Sequence, residues 1–344
     1  MAKVTIYDIA KKLNVSPATV TRAMNGQPKV GAEKRKLIIK TAEQMGYKAN
    51  KVAVSLARKQ IKIAVVIYGA VEAFYNKLVD GANIAYQDLR DFNVSRELIV
   101  LSTRTHNDND LIDILHELPN KKFDGVLIYS LNDTPDIAKA IDNLIADGIA
   151  VYTMNTDVST QNNHFCVMND GHVAGKLAAE LLDWMVPNRK ICYFMGGEHT
   201  QVLLNINKAF TKEAKQRNLE ILESYYDDGD MEKAYHEVDD ILENHAEVGG
   251  IYINSAISEP ICRRIVELGV QDKIKIVTSD FLPSIKQNIV DGVVQATIFQ
   301  DPFLQAKTGF KNLYRVIAEG FVPDRYIFTK PQIISKSNLT FFEG

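Results

Sequence analysis

The chain has 344 residues, 46% of them hydrophobic and 24% charged, with a net charge of −3. A sequence this long and this mixed can bury two or three sizeable cores, and none of its apolar runs reaches the roughly 18 to 20 residues that a membrane span requires. Cys166, Cys192 and Cys262 are too scattered for a disulfide framework or a metal site, and the seven histidines show no HxxxH or HExxH spacing. Neither a metal nor another cofactor is expected. Asp8, Lys11 and Lys12 interrupt the N-terminus before a signal-like apolar core develops, which favours the cytoplasm.

Charge is unevenly divided. Residues 1–60 carry thirteen Lys and Arg against three acids, whereas the remainder carries 27 against 40. A basic head on an acidic body implies a polyanionic partner for the head.

Thr5 and Asp8 form a capping-box-like start to "IYDIAKKL", where Ile6, Ile9, Ala10 and Leu13 recur at helical spacing. Asn14 breaks that pattern. Ser16, a hydroxyl cap, and Pro17, suited to a first helical turn, begin a second short helix. Ala18, Val20, Ala23 and Met24 are available for its apolar side. Ser16, Thr19, Thr21, Arg22 and Asn25 are short polar groups plus one guanidinium, where a solvated helix would use Glu and Lys. Such a surface suits close hydrogen bonding to base edges and phosphates in a DNA groove. A third helix is expected from Ala32 to about Met45, with Leu37, Ile38, Ala42 and Met45 as its stripe. After Gly46, Asn50 is placed to cap a short segment whose Val52, Ala53, Leu56 and Ala57 need a partner to become ordered.

"TIYDIAKKLNVSPATVTRAMN" followed by "YKANKVAVSLARK" resembles the DNA-binding head and hinge of the lac repressor family of transcriptional regulators. The resemblance implies a helix-turn-helix domain over 1–49, a hinge helix and linker over 50–60, and an effector-binding and dimerisation domain over 61–340. It also implies a homodimer whose two heads read a palindromic double-stranded operator, with paired hinge helices in the minor groove. By the same resemblance Pro17, Ala18 and Arg22 fall where family members read bases. Thr5, Tyr7, Ser16, Thr19, Asn25 and Lys29 fall where they hold phosphates, and Leu56 occupies the position of the wedge that opens a base step.

From Ile61 short apolar runs alternate with helical patterns: "IKIAVVIY", "RELIVLS", "FDGVLIYS" and "GIAVYTMN", then "RKICYFMG", "LEILESYY", "VGGIYIN", "KIKIVTS" and "GVVQATIFQ". Strands apolar on both faces, separated by helices, predict an α/β body of two Rossmann-like lobes. No GxGxxG follows the first strand and no P-loop occurs, which disfavours a nucleotide site. The body resembles a periplasmic-binding-protein fold, with lobe 1 expected over 61–157 and 301–324 and lobe 2 over 163–297 and 325–340.

In that fold a small molecule lies between the lobes at the C-terminal ends of strands. The candidates there are Tyr68, Phe74, Tyr75, Tyr129 and Asn155, then Asn254, Asp280 and Gln300. Aromatics stack on a sugar ring, and the polar groups satisfy its hydroxyls. Asp280 follows an apolar strand directly, where the family places its ligand-binding acid, although the same position would let it cap a helix beginning near Leu282.

Sugar-binding members carry an Arg ahead of a Gly-aromatic pair. This chain has Ile206 and Ala209 in "NINKAF" at the Arg and Gly positions, with Asn205 or Asn207 as substitutes. The departure points away from an ordinary hexose and toward a polyol, a modified sugar or an unfamiliar ligand. No catalytic constellation can be assembled. The expected function is a ligand-responsive repressor controlled by a sugar or polyol, working at the nucleoid. The alternative is a cytoplasmic sugar-binding or sugar-modifying protein with an incidental helical head.

Overall fold

Residues 4–24, 30–47, 59–195, 201–226, 229–254 and 257–342 are described by the computed structural model. Asn25, Lys29, Asn50, Leu56 and most of the hinge segment lie outside them. The chain divides between Lys59 and Gln60 into two compact units.

In the first unit Thr5 caps α1 (Ile6–Leu13). The Asp8 N–H donates to Thr5 Oγ1 at 3.4 Å, while the Thr5 N–H donates to Asp8 Oδ2 at 2.8 Å. Asn14 ends the helix in the left-handed region, at φ 50°, a conformation that asparagine tolerates better than most residues. Ser16 accepts the Thr19 N–H at 3.1 Å and starts α2 (Pro17–Met24). After α3 (Ala32–Gln44), the three helices meet over Ile9, Ala10, Val20, Ala23, Ile38 and Ala42.

Two details differ from the sequence reading. Leu37 is 54% exposed, and Thr41 takes its place inside. The inward stripe of α3 is 38, 41, 42 and 45, an i, i+3, i+4, i+7 series from which position 37 is turned by about 100°. Ala18 is exposed rather than packed, because Val20 and Ala23 already fill the inward face of α2.

The second unit runs β1 (Ile61–Gly69), α4 (Glu72–Leu89), β2 (Val94–Ser102), α5 (Asp108–Glu117), β3 (Gly125–Ser130), α6 (Pro135–Ala146), β4 (Ala150–Met154) and β5 (Phe165–Asn169). It continues with α7 (Gly171–Met185), β6 (Lys190–Met195), α8 (Gln201–Gln216), β7 (Glu220–Tyr226), α9 (Met231–Asn244) and β8 (Gly250–Asn254). The rest is α10 (Ser258–Glu267), β9 (Lys275–Ser279), α11 (Pro283–Val290), β10 (Ala296–Phe299), α12 (Pro302–Glu319), β11 (Tyr326–Thr329) and β12 (Gln332–Ser335).

Two six-stranded sheets result, ordered β11-β5-β4-β3-β1-β2 and β12-β10-β9-β8-β6-β7. Pairing is parallel except between β10 and β12. Each sheet is covered on both faces, the first by α5 and α6 on one side and α4 and α12 on the other. The second lies between α9, α10 and α11 on one side and α7 and α8 on the other. Both lobes let one helix pair approach closely at a glycine. A Cβ on Gly81 would lie 2.1 Å from Phe303 O, and one on Gly175 2.4 Å from Ile206 O.

The lobe boundaries expected from sequence need correction. Residues 163–169 belong to the first lobe, because β5 pairs with β4 and β11. Residues 325–329 do as well, since β11 forms the outer edge of the first sheet. "YIFTKPQIIS" forms two strands in two sheets, parted by Lys330 and Pro331. Proline has no N–H to donate to a ladder, which allows the chain to change sheets there.

Cys166, Cys192 and Cys262 are fully buried free thiols, and burial pushes each up to about 12.

Candidate functional site

On the head, Ala18 and Arg22 stand one helical turn apart on the exposed face of α2. Arg22 has no hydrogen-bond or ion-pair partner among the described residues. The hydroxyls beside it are engaged locally. Ser16 Oγ and Thr19 Oγ1 share a 2.8 Å bond, and Thr21 Oγ1 donates to Pro17 O at 3.0 Å. Ser16 is exposed, whereas Pro17 and Thr19 are half-buried. Thr5 Oγ1 donates to Asp8 Oδ2 at 2.7 Å, and that donation is the main reason the Asp8 carboxyl lies below its usual range. Tyr7, 73% exposed, projects from α1, and Lys34, Lys36 and Lys40 project from α3. One long donor among the short polar side chains of α2 is a surface able to enter a groove, and the exposed lysines of α3 are able to hold phosphates.

In the body the three crossovers between lobes leave from β5 at Asn169, from β10 at Phe299 and from β11 at Thr329. Each is the C-terminal end of its strand. The C-terminal edges of both sheets therefore adjoin the same hinge, and side chains there can be shared between lobes.

Gln300 is the centre of that region. Its Nε2 donates to Asp280 Oδ1, its Oε1 accepts from Asn155 Nδ2 at 2.6 Å, and its backbone carbonyl accepts from Gln305 Nε2 at 2.9 Å and Thr329 Oγ1 at 3.1 Å. Asn155 (φ 65°) and Asp280 (φ 70°) each follow a strand in the left-handed region. Both still donate a backbone N–H across the sheet, to Val167 O at 2.8 Å and Ile298 O at 3.0 Å. This geometry aims their side chains toward the crossover. Burial lifts the Asp280 carboxyl to about 6, against the donation from Gln300. The helix-capping alternative fails, since α11 begins after Leu282 without any side-chain cap.

Tyr129 stands close enough to feel the charge of Asp280, and burial with that charge raises its phenol. Its ring meets Phe74 at 5.8 Å between centroids. Gly69 leaves room for the cluster, because a Cβ there would lie 2.9 Å from the Tyr129 ring and 3.1 Å from Tyr75. The structure thus brings together Phe74, Tyr75, Tyr129, Asn155, Asp280 and Gln300.

Other candidates point elsewhere. Tyr68 bonds to Asp108, which also accepts from Asn132 Nδ2 at 2.8 Å; burial first, then Asp108, pushes the phenol up to about 12. Asn207 Oδ1 accepts from Tyr193 Oη and, at 2.9 Å, from Asn254 Nδ2, so Asn207 and Asn254 form a buried set within the second lobe. Asn205 accepts from Gln201 Nε2 at 3.0 Å on α8. The sequence reading did not pick out Gln305 or Thr329. Gln305 is fully buried, and its signal is a polar residue inside the apolar series Pro302, Ala306, Gly309 and Phe310.

Residues 5–50 match the family described as bacterial regulatory proteins, lacI family, and residues 63–320 match the periplasmic binding protein domain. The catabolite control protein A of Priestia megaterium is 35% identical over 130 residues, 38% of this chain and 37% of that protein. That of Streptococcus mutans is 30% identical over 125 residues, 36% of each chain. The matched stretch thus spans little more than a third of these relatives. Among solved structures, a glucose-galactose binding protein from Geobacillus stearothermophilus superposes with a TM-score of 0.72 at 21% identity, over 82% of this chain and 99% of that one. A periplasmic ribose ABC transporter protein from Conexibacter woesei gives 0.73 at 20% identity, over 83% and 95%. Both share the fold of the body.

Proposed function

The chain belongs to the lacI family of bacterial regulatory proteins, with a periplasmic binding protein domain behind its helical head, and from this we propose that it is a ligand-responsive transcriptional repressor. The head binds operator DNA, and a sugar or polyol occupies the cleft between the lobes. The observation that carries the reading is Gln300, which ties the cleft acid Asp280 of the second lobe to Asn155 of the first at a crossover. A molecule that engages Asp280 acts where the angle between lobes is set. It changes DNA binding only through different affinities for the two lobe arrangements.

In this reading Arg22 contacts a base and Ala18 and Pro17 lie against base edges. Thr5, Tyr7, Ser16 and Thr19, with Asn25 and Lys29, hold phosphates. Asn50 and Leu56 of the hinge segment also contact the operator, Leu56 as the wedge at a base step. Two copies bind a palindrome as a homodimer, in the cytoplasm and without catalysis.

The test is selection of operator sequences from a random DNA pool by the full chain, followed by anisotropy titrations in the presence of sugars and polyols. A palindromic consensus whose affinity changes at least tenfold with one of these compounds supports the reading. Retention on heparin that is unchanged by removing residues 1–60 would sink it in favour of a carbohydrate-binding protein with an incidental head.

A further inference from the structure

Asp280 narrows the chemistry of the ligand. Among the described residues its carboxylate receives one hydrogen bond, from Gln300 Nε2, and has no Lys, Arg or His in ion-pair range. Its backbone is also committed, the N–H to Ile298 O and the carbonyl to the Thr297 hydroxyl. The side chains its charge reaches are phenols, Tyr129 and Tyr252, and Tyr129 carries Phe74 against it. Tyr252 is occupied with Ser279 Oγ at 2.9 Å. A half-buried carboxylate commonly has a cation or several donors. Among the described residues this one has a single amide donor, Gln300.

Resting on the sugar- or polyol-responsive reading above, we infer that the effector bears an ammonium group, as an amino sugar or amino polyol does, and that this group sits on Asp280 beside Tyr129 and Phe74. An ammonium brings a counter-charge, which no described residue supplies, and three donors in one small group. Tyr129, whose phenol the Asp280 charge reaches, packs against Phe74, and aromatic faces attract cations. A neutral hydroxyl would give Asp280 one more donor and leave its charge uncompensated. Asp108 on the first lobe is also an acid with neutral donors, Tyr68 and Asn132.

Thermal-shift titration of the full chain at pH 7 tests this with matched probes: D-glucosamine against D-glucose, D-galactosamine against D-galactose, D-mannosamine against D-mannose, and 1-amino-1-deoxysorbitol against sorbitol. N-acetyl-D-glucosamine keeps the nitrogen and removes its charge. In at least one pair the amine is expected to bind ten or more times tighter than its neutral partner, and in Asp280→Asn, confirmed folded by its own melting transition, the advantage disappears. Neutral probes binding as tightly as amines, or an amine advantage that survives in Asp280→Asn, overturns the inference and leaves the sensor reading standing. Failure of every probe, charged and neutral, to shift the transition removes both.

Discussion

The head's described candidate contacts, from Thr5 to Arg22, lie on or cap two short helices next to each other in the chain, whereas in the body Asn155 and Gln300 meet across 145 positions. Among the described residues the head rests on six buried apolar side chains, and each lobe rests on two extended clusters. A small core leaves little stability to spare, so the head is exposed to any loss of packing. The body has packing in reserve, and its weak point is the register that brings three strand ends to one place. Stability limits the first and geometry limits the second.

The comparison is broken most directly at Ile38. Truncation of a fully buried isoleucine costs about 2 to 5 kcal/mol, comparable to all that so small a core supplies. Ile38→Ala should abolish operator binding while effector binding and the body's calorimetric transition stay unchanged. A shifted body transition would show that the two units do not melt independently.

Asp280→Asn addresses the body. Loss of a charge-assisted contact worth roughly 1.5 to 3 kcal/mol should weaken effector binding about 10- to 100-fold by isothermal titration, with operator affinity retained. The same substitution should raise stability above pH 6. With the folded carboxyl lifted from 3.8 to about 6, the native state holds the extra proton between those values, so wild-type stability falls as pH rises through that window. Melting curves from pH 4 to 8 should show the variant ahead at pH 8 and level with wild type near pH 4. Equal melting at pH 8 would mean that the carboxylate is better satisfied than its partners suggest.

Arg22→Ala should cost about 1 to 3 kcal/mol of operator affinity and flatten the preference at one base pair. A uniform loss across all sequences in the selected pool would reassign Arg22 to a phosphate. The smallest change is Thr5→Ala, which removes the hydroxyl of the α1 cap and should lower head stability by about 1 kcal/mol. Hydrogen-exchange protection in α1 reports it, and unaltered protection would show that Asp8 and the backbone suffice.

Legibility in the sequence follows the same division. Caps, the left-handed Asn14 and the exposed Arg22 depend on neighbours a few residues away, so a local reading reaches them. Leu37 and Ala18 were misplaced because a stripe can be shifted by one position without changing its composition. The two-lobed architecture is legible from strand texture, yet neither the strand Phe165–Asn169 nor the lobe to which Tyr326–Thr329 belongs can be read from it. Sheet membership is decided by pairing partners, which no run of apolar residues names. At the cleft, Asp280 and Gln300 announced themselves as polar residues just past apolar strands. Gln305 did not, because it lies in mid-helix and becomes part of the site only when β10 delivers Gln300 beside it. Asn254 carries the same strand-end signal as Asp280 but bonds to Asn207 of α8 instead.

The buried thiols make the folded body chemically quiet. Burial holds each sulfur far above neutral pH, so peroxides and alkylating reagents find almost no thiolate in the folded body. The cysteines are also unevenly placed. Cys166 lies in the first lobe, Cys192 and Cys262 lie in the second, and the head has none. Labelling by a maleimide can therefore proceed only through opening of one lobe or the other, and mass spectrometry of the modified peptides would clock the two lobes separately while the head stays invisible to the reagent.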